Sequence, residues 1–184
     1  MRLRAIAEGP RLKEAVMAGA QRVADDLRDY YGAKDADEPN SFFAKGEGTR
    51  RTHFWRKVGD SVRGPERTQR GAVVFVTHPV IRQKLLGGPI SAVRALMLTI
   101  PINAEAYARR AKELEGIVGR LFIVKAKDGR VFLAGRPERR GKTVFYYRLK
   151  ESVNQKPWKG AVPTRRWLID SFRAGAGYYL RHHN

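Results

Sequence analysis

Apolar residues near the start of the chain recur every three or four positions between residues 10 and 31. This spacing places them on one face of a helix, and the polar residues between them fall mostly on the other faces. Pro10 suits a first helical turn, and Gly32 suits the position just after a helix end. The pattern therefore predicts an amphipathic helix over 10–31, followed by a flexible polar loop over about 33–50.

The next stretch contains a short helical pattern and then an apolar run. Thr52 is a suitable cap for a helix that continues to about Val62. Glycine and proline between residues 64 and 71 predict a turn region. Residues 72–77 are apolar on both faces of a strand, which predicts a buried central strand.

Prolines and glycines divide the middle of the chain. His78-Pro79 should end the apolar strand, because proline cannot donate a hydrogen bond to a neighbouring strand. The sequence Gly-Gly-Pro at 87–89 predicts a hard break. Residues 96–102 alternate between apolar and other side chains, so we expect a strand with one buried face.

A middle helix and three more strands follow. Asn103 is a good cap for a helix over 104–115, which Gly116 should end. Asp128-Gly129 between apolar runs is a strong hairpin signal. Strands are predicted at 121–125, 131–134 and 143–149.

The last part of the chain combines a basic turn, an extended segment and a helix. Residues 136–142 form the basic turn, and prolines and glycine predict an extended connection over about 154–163. Thr164 should cap a C-terminal helix. Gly175 and Gly177 weaken that helix by about 1 kcal/mol each relative to alanine, which indicates a close contact or a fraying end. One row of this helix holds Leu168, Phe172, Gly175 and Tyr179.

The order of these elements predicts an α+β fold. Strands that follow one another as a meander, with helices before and after them, favour a mostly antiparallel sheet of about five strands. N-terminal, middle and C-terminal helices should flank this sheet. With 184 residues and no internal repeat, the chain is expected to form a single domain over 1–184.

Positive charge is the strongest feature of the composition. The 37 Lys and Arg residues exceed the 18 Asp and Glu residues, which gives a net charge of +19. Such a surface suits nucleic acid or an acidic protein, although a solvated basic surface is an equally open interpretation. No segment is long and apolar enough to span a membrane, so no membrane partner is expected. The candidate DNA- or partner-facing residues are Arg50, Arg51, Arg56, Arg139, Arg140, Arg165 and Arg166.

The sequence offers no credible catalytic constellation. The chain has no cysteine, which excludes disulfides, cysteine-based zinc sites and cysteine nucleophiles. It has no phosphate-binding loop and no nucleophile elbow. His182 and His183 are adjacent and would point about 100° apart on a helix, which makes a poor metal chelate. His78 follows a buried strand, where a histidine is either structural or catalytic. We therefore expect no enzyme activity, no metal and no cofactor.

Several short motifs between residues 50 and 110 resemble one known family. They are Arg51-Thr52-His53-Phe54, Thr77-His78-Pro79, Gly87-Gly88-Pro89-Ile90, Leu98-Thr99-Ile100-Pro101 and Glu105-Ala106-Tyr107. Together they resemble the phage virion morphogenesis family, the Mu-type tail completion proteins. The segment Pro163–Phe172 resembles that family's C-terminal proline and basic-aromatic helix. The chain departs from the family at Ser91–Arg94, where a Pro-Lys-type link is usual.

The resemblance implies a structural virion protein of a tailed bacteriophage. Such a tail completion or neck subunit forms a homo-oligomeric ring, expected to be a hexamer, around the DNA path at the head–tail junction. Its partners would be itself, neck or connector and tail-tube proteins, and genomic DNA. Its location would be the virion, with assembly in the host cytoplasm.

Aromatic residues supply candidate subunit contacts, because interfaces are enriched in them. Phe42 and Phe43 lie in the predicted loop, and Trp158 lies in the extended connection. Trp55 and Trp167 are further candidates, with burial in the subunit core as the alternative.

Two other functions stay open. The first is a basic nucleic-acid-binding protein without sequence specificity, and the second is a phage-encoded nuclease. For the first, Tyr146, Tyr147 and Arg148 could stack with bases, or the tyrosines could pack at a sheet face.

Overall fold

The computed structural model describes residues 9–37, 52–69, 71–137 and 141–183. Within them the chain forms five helices and eight strands, and all strand pairs are antiparallel. The α+β class is therefore confirmed. The helices are α1 (Pro10–Asp37), α2 (Phe54–Asp60), α3 (Ile81–Leu86), α4 (Ala111–Val118) and α5 (Arg165–His182). The strands are β1 (Val62–Thr68), β2 (Gly71–Val76), β3 (Gly88–Ser91), β4 (Leu98–Pro101), β5 (Leu121–Lys125), β6 (Val131–Gly135), β7 (Val144–Lys150) and β8 (Ser152–Gln155).

The strands do not form the single sheet of about five strands that the sequence predicts. They form a β1–β2 hairpin, a β3–β8 pair and a four-stranded sheet in the order β4-β7-β6-β5. The chain also divides into two compact units. The helical unit contains 9–37, 53–86 and 157–183, and the sheet unit contains 87–137 and 141–156. The single domain over 1–184 stays a prediction.

Helix α1 continues to Asp37 instead of ending near Gly32. Tyr31 is fully buried, and its hydroxyl donates a hydrogen bond to the Ala161 carbonyl at 3.1 Å. Contacts with other elements thus stabilise the last turns of the helix, which local sequence alone would not favour. The start of the predicted 33–50 loop is therefore helical, and residues 38–50 lie outside the described residues.

Helices α1 and α5 pack closely through glycines. A Cβ atom on Gly175 would lie 2.6 Å from Arg22 Cβ and 2.7 Å from the Ala18 carbonyl oxygen. A Cβ atom on Gly19 would lie 2.8 Å from the Phe172 ring. The close contact predicted at Gly175 is confirmed.

Helix α2 begins one residue later than predicted, after His53 instead of Thr52. His53 has a left-handed backbone (φ 48°), and its side chain makes no capping hydrogen bond. Asp35 at the end of α1 accepts a hydrogen bond from the Arg56 amide at 3.3 Å, and its other oxygen lies 2.9 Å from His53 Nδ1. A carboxylate from another helix therefore satisfies one free amide of α2.

Strand β1 occupies the region predicted as a turn. Its ladder with β2 shifts register between Arg63 and Glu66, and this irregularity accommodates Gly64 (φ 97°) and Pro65. Strand β2 pairs only with β1, and its residues Val73 and Phe75 are exposed. The prediction of a buried central strand is therefore wrong, because α1 covers only one face of this hairpin.

The glycine-rich break at 87–89 joins two short elements that the sequence did not predict, α3 and β3. Strand β3 pairs with β8, so the start of the predicted extended connection over 154–163 is a strand. Thr164 caps α5 as predicted, since its hydroxyl accepts a hydrogen bond from the Trp167 amide at 3.3 Å.

Helix α4 lies further along the chain than the predicted helix over 104–115. Asn103 instead caps a turn, accepting a hydrogen bond from the Ala106 amide at 3.0 Å. Ala108 has a left-handed backbone (φ 55°), which ends this turn. Glu113 accepts a hydrogen bond from the Arg110 amide at 3.3 Å, and the helix passes through Gly116 without a break.

The β5–β6 hairpin is confirmed at the predicted position. Gly129 has φ 81°, and Asp128 accepts hydrogen bonds from the backbone amide and the guanidinium of Arg130 at 3.0 and 2.6 Å. The hydrogen bond from the Arg130 amide, assisted by its guanidinium, lowers the pKa of Asp128 below the usual range.

An irregularity in β7 places two consecutive tyrosines in the core of the sheet unit. Leu133 pairs with Tyr147 and Ala134 pairs with Phe145, so the register of the β6–β7 ladder shifts by one residue at Tyr146. Both tyrosines are buried and pack with Leu114 of α4. They therefore pack at a sheet face and are not available to stack with bases.

Candidate functional site

Three of the seven predicted basic residues lie in the described part of the helical unit. Arg56 is exposed on α2, and Arg165 and Arg166 are exposed in the first turn of α5. Arg166 lies 3.8 Å from Asp170, an exposed pair of small energetic value. The role of these arginines stays a prediction. The predicted residues outside the described part of the chain are Arg50, Arg51, Arg139, Arg140, Phe42 and Phe43.

Trp158 lies at the rim of an aromatic cluster in the helical unit. Its ring meets Trp55 edge to face with 4.9 Å between centroids, and the residue is 36% exposed. Its backbone N–H donates to the Lys84 carbonyl at 2.8 Å, which fixes the segment that carries it. The role of Trp158 at a subunit interface stays a prediction.

Trp55 is buried in the core of the helical unit, which was the alternative to a role at a subunit interface. It is 4% exposed and stacks on Tyr31 with 5.8 Å between ring centroids and 4° between planes. Trp167 is half-buried beside Tyr30, with 5.8 Å between centroids. Both tryptophans therefore contribute to packing within the helical unit.

Two lysines complete the aromatic cluster. Lys34 Nζ lies 5.6, 5.2 and 5.4 Å from the ring centroids of Tyr30, Trp55 and Trp158. Lys84 Nζ lies 5.3 Å from the Trp158 centroid. An ammonium group is attracted to the face of an aromatic ring. The lysines of the chain itself thus fill the cluster, which indicates a structural role.

The variant Tyr31→Phe is expected to flatten the pH dependence of stability between pH 10 and 12. Burial, assisted by the neighbouring Tyr30, raises the pKa of Tyr31 from 10.0 to about 12. The unfolded chain therefore loses this proton first as the pH rises. The raised pKa of Tyr31 therefore contributes fully to the free energy of unfolding below pH 10, and this contribution declines between pH 10 and 12.

Urea unfolding at a series of pH values measures this effect. At neutral pH the phenylalanine variant should be about 1 kcal/mol less stable, because it loses the hydrogen bond to Ala161. The control Tyr30→Phe loses a hydrogen bond to Gly160 at 2.9 Å and should keep most of the parental pH dependence, because burial is the larger cause of the raised pKa of Tyr31. If the stability of Tyr31→Phe and of the parent changed equally with pH, the raised pKa of Tyr31 would be contradicted.

The four-stranded sheet of the sheet unit has one face that α4 covers. Leu114 and Val118 of α4 pack against Tyr147, Leu133 and Leu121. Residues opposite one another in an antiparallel ladder point to the same face, and the next residues along each strand point to the other. The ladder registers therefore identify the residues of the second face.

The second face carries aromatic and basic side chains. Phe122 and Phe145 both lie opposite Ala134, and Phe132 lies opposite Val124 on one side and Arg148 on the other. The Phe132 and Phe145 rings meet edge to face with 5.2 Å between centroids. We call this surface the Phe–Arg face and define it by Ile100, Phe122, Val124, Arg130, Phe132, Arg136, Phe145 and Arg148.

Two guanidinium groups extend the Phe–Arg face beyond its strands. Arg130 Cζ lies 5.7 Å from the Phe132 ring centroid, and Arg136 Cζ lies 5.8 Å from the Phe122 centroid. Arg136 Nε also donates to the Thr143 hydroxyl at 3.3 Å, which orients it. The arrangement presents cations and π-surfaces side by side.

A second exposed feature of the sheet unit is the segment between β3 and β4, residues 92–97, which we call the apolar loop. Val93 and Leu96 are each 96% exposed there. One exposed apolar side chain is common on protein surfaces, whereas clustered ones mark sites of association.

The described residues hold no cluster of side chains that could bind a metal ion. No three His, Asp or Glu side chains within them are placed to hold a metal ion. His78 Nδ1 accepts a hydrogen bond from the Val80 amide at 3.3 Å, and its ring meets Phe54 edge to face at 5.1 Å. These contacts hold the His78 ring in place, and the choice between a structural and a catalytic role stays a prediction.

Comparison with protein-family models, curated proteins and solved structures finds no match to this chain. The resemblance to phage tail completion proteins is therefore carried by the sequence motifs alone. Among the helices of the described residues, none is both long and apolar enough to cross a bilayer.

Sequence reasoning did not find the Phe–Arg face. The signal was available, since Phe122 and Val124 alternate along one strand and Phe132 follows the hairpin turn. The sequence could not give the register that brings Phe122, Phe132 and Phe145 to one face. The irregularity at Tyr146 interrupts the alternation of side chains along β7, so Phe145 and Tyr147 point to opposite faces.

Proposed function

We propose that this chain is a structural virion protein of a tailed bacteriophage, a tail completion or neck subunit that assembles into a ring around the DNA path. The apolar loop is the observation that carries the assembly part of this proposal. A ring is built from heterologous contacts, in which one patch of a subunit meets a different patch of the next.

The exposure of Val93 and Leu96 supports a contact that the isolated chain does not make. Burying a valine or leucine side chain contributes about 1.5–3 kcal/mol relative to leaving it exposed. Two such side chains at the end of one loop are suited to insertion into a neighbouring subunit. Their position between two strands fixes both ends of the loop, which limits the entropy lost on binding.

The net charge of +19 supports a partner that carries phosphates or carboxylates. A basic lumen would contact DNA phosphates without reading the base sequence. The sequence motifs over residues 50 to 110 supply the phage context, and the structure places β3, the apolar loop and β4 within that stretch. Activity as an enzyme is not part of this proposal.

The assembly is tested by light scattering on the size-fractionated full chain. The parent should elute as one closed oligomer, and the double variant Val93→Ser with Leu96→Ser should elute as a monomer at the same concentration. The control Ile117→Ser changes an apolar residue of the same unit that is 62% exposed, and it should keep the parental mass. A monomeric parent, or a double variant of unchanged mass, would refute the proposal.

The virion location is tested on purified infectious particles. Antibody against this chain should detect it in the particles and label one end of the tail in electron micrographs. Its absence from particles that are otherwise complete would refute the virion role even if a ring forms.

A further inference from the structure

We propose that the Phe–Arg face of the four-stranded sheet is a binding surface for single-stranded nucleic acid. This inference concerns a site on the isolated sheet unit and does not require that the chain form a ring or belong to a virion. Three properties of the face carry it. Its aromatic rings are partly exposed, its strands contribute basic residues and no acidic ones, and an antiparallel sheet holds both kinds of side chain in fixed register.

The aromatic rings are placed to offer π-surface at the protein boundary. Phe145 is 42% exposed, although its side chain is large and apolar and its strand, β7, lies between two others in the sheet. Phe122 and Phe132 are half-buried, and the helix α4 packs on the opposite side of their sheet. A base that stacks on such a ring contributes about 1–3 kcal/mol of binding, and every base has a face that can stack.

Positive charge surrounds the rings. Arg148 belongs to the face by its register in β7, and Lys150 lies beside the face on the same side of that strand. Arg130 and Arg136 lie over two of the rings. Among the paired strand residues that point to this face, none is acidic. Asp128 at the hairpin pairs with Arg130 and offsets part of one charge. The strand residues therefore favour a polyanion.

The combination selects single strands over duplexes. In a duplex the bases stack on one another and their faces are closed, so only phosphates would meet this surface. In a single strand a base can stack on the exposed Phe145 ring while the arginines over Phe122 and Phe132 contact the phosphates. Antiparallel sheets with surface aromatics bind RNA in this way in common RNA-binding modules. An acidic peptide would use the arginines but would leave the rings without a matching group.

The test is fluorescence anisotropy of a labelled oligothymidylate of about 15 nucleotides, a length in the range that one small domain covers. The full chain should bind it more tightly than it binds a duplex of equal length, with an affinity that falls as salt rises. The variant Phe145→Ala should weaken binding about tenfold, and Phe145→Leu should weaken it nearly as much because an aliphatic side chain does not stack.

The chain supplies a matched control for the aromatic variant. Phe75 is also 42% exposed, but it lies on β2 in the helical unit. The variant Phe75→Ala should leave the affinity for the oligothymidylate unchanged. Circular dichroism of each variant establishes that it is folded, and Phe145 is exposed enough that its loss should not unfold the chain.

Arginine variants separate a local site from diffuse attraction. Arg136→Gln should weaken binding about threefold to tenfold and reduce the slope of log affinity against log salt by about one. Arg173→Gln changes an exposed arginine of α5 that is not among the predicted DNA-facing residues, and it should have a smaller effect. These two variants keep the proposal testable even if a phenylalanine variant fails to fold.

Several outcomes would overturn the proposal. They are equal affinity for the single strand and the duplex, equal losses for Arg136→Gln and Arg173→Gln, and no loss for Phe145→Ala. Binding of labelled polyglutamate at the same face without binding of oligothymidylate would show that the occupant is an acidic protein instead.

Discussion

The variant Gly175→Ala is expected to destabilise the helical unit by about 2–3 kcal/mol. In an ordinary helix position the same change would stabilise the protein by about 1 kcal/mol, because alanine has the higher helix propensity. Here the new methyl group would lie 2.6 Å from Arg22 Cβ and 2.7 Å from the Ala18 carbonyl oxygen, both on α1. Neither atom can withdraw without moving α1 away from α5.

The control for this prediction lies two residues further along the same helix. A methyl group on Gly177 would meet only the end of the Arg181 side chain, at 3.4 Å. The variant Gly177→Ala should therefore be more stable than the parent by about 1 kcal/mol. Urea unfolding followed by circular dichroism measures both changes. If both variants gain stability, the close approach of α1 and α5 at Gly175 is refuted.

The variant Trp55→Ala is expected to lose about 3–5 kcal/mol of unfolding free energy, the range for removal of a large buried aromatic side chain. Trp55 is 4% exposed and contacts Tyr31, Phe54 and Trp158 through its ring. Its removal would leave a cavity in the middle of the cluster and would separate the Lys34 ammonium from one of its three rings.

Trp158→Ala is the matched control, because the same side chain is removed from the rim of the same cluster. With 36% of the residue exposed, the loss should be about 1 kcal/mol, well below that for Trp55→Ala. Chemical unfolding followed by far-ultraviolet circular dichroism avoids the change in fluorescence that removal of a tryptophan causes. Equal losses of unfolding free energy for the two variants would refute the placement of Trp55 in the core and of Trp158 at the rim of the cluster.

The Trp158 variant also bears on assembly. If Trp158 contributes to a subunit contact as the sequence predicts, its replacement should lower the oligomer mass more than it lowers the stability of the subunit. The apolar loop is the contact proposed for the sheet unit, so the two surfaces can be separated by mutation. A ring would need at least two different patches, and these are the candidates that the described residues offer.

The Phe–Arg face gives the high positive charge a second interpretation. Basic residues distributed over a surface attract any polyanion, and their effect weakens with salt. Arginines held beside aromatic rings discriminate further, since only a ligand with both phosphates and flat unpaired bases can use both groups. Loss of binding in Phe145→Ala together with unchanged ring formation would show that the two proposed surfaces act separately.

Local sequence determined the elements whose signals lie within a few residues of one another. Thr164 caps α5 through the amide three residues later, and the turn at Asp128-Gly129 closes the β5–β6 hairpin with its own side chain and backbone. The repeat of apolar residues over 10–31 predicts α1 from its start at Pro10, although the helix continues to Asp37. These signals depend on short-range geometry, which the chain carries wherever it folds.

Tertiary contacts decided the features that the sequence did not show. The Asp35 carboxylate caps α2 from another helix, and the pairing of β2 with β1 alone leaves Phe75 exposed. The extra residue at Tyr146 turns two consecutive tyrosines toward the core and thereby sets which side chains form the Phe–Arg face. Residues distant in sequence create these environments, so the pattern of apolar and polar positions contains no local trace of them.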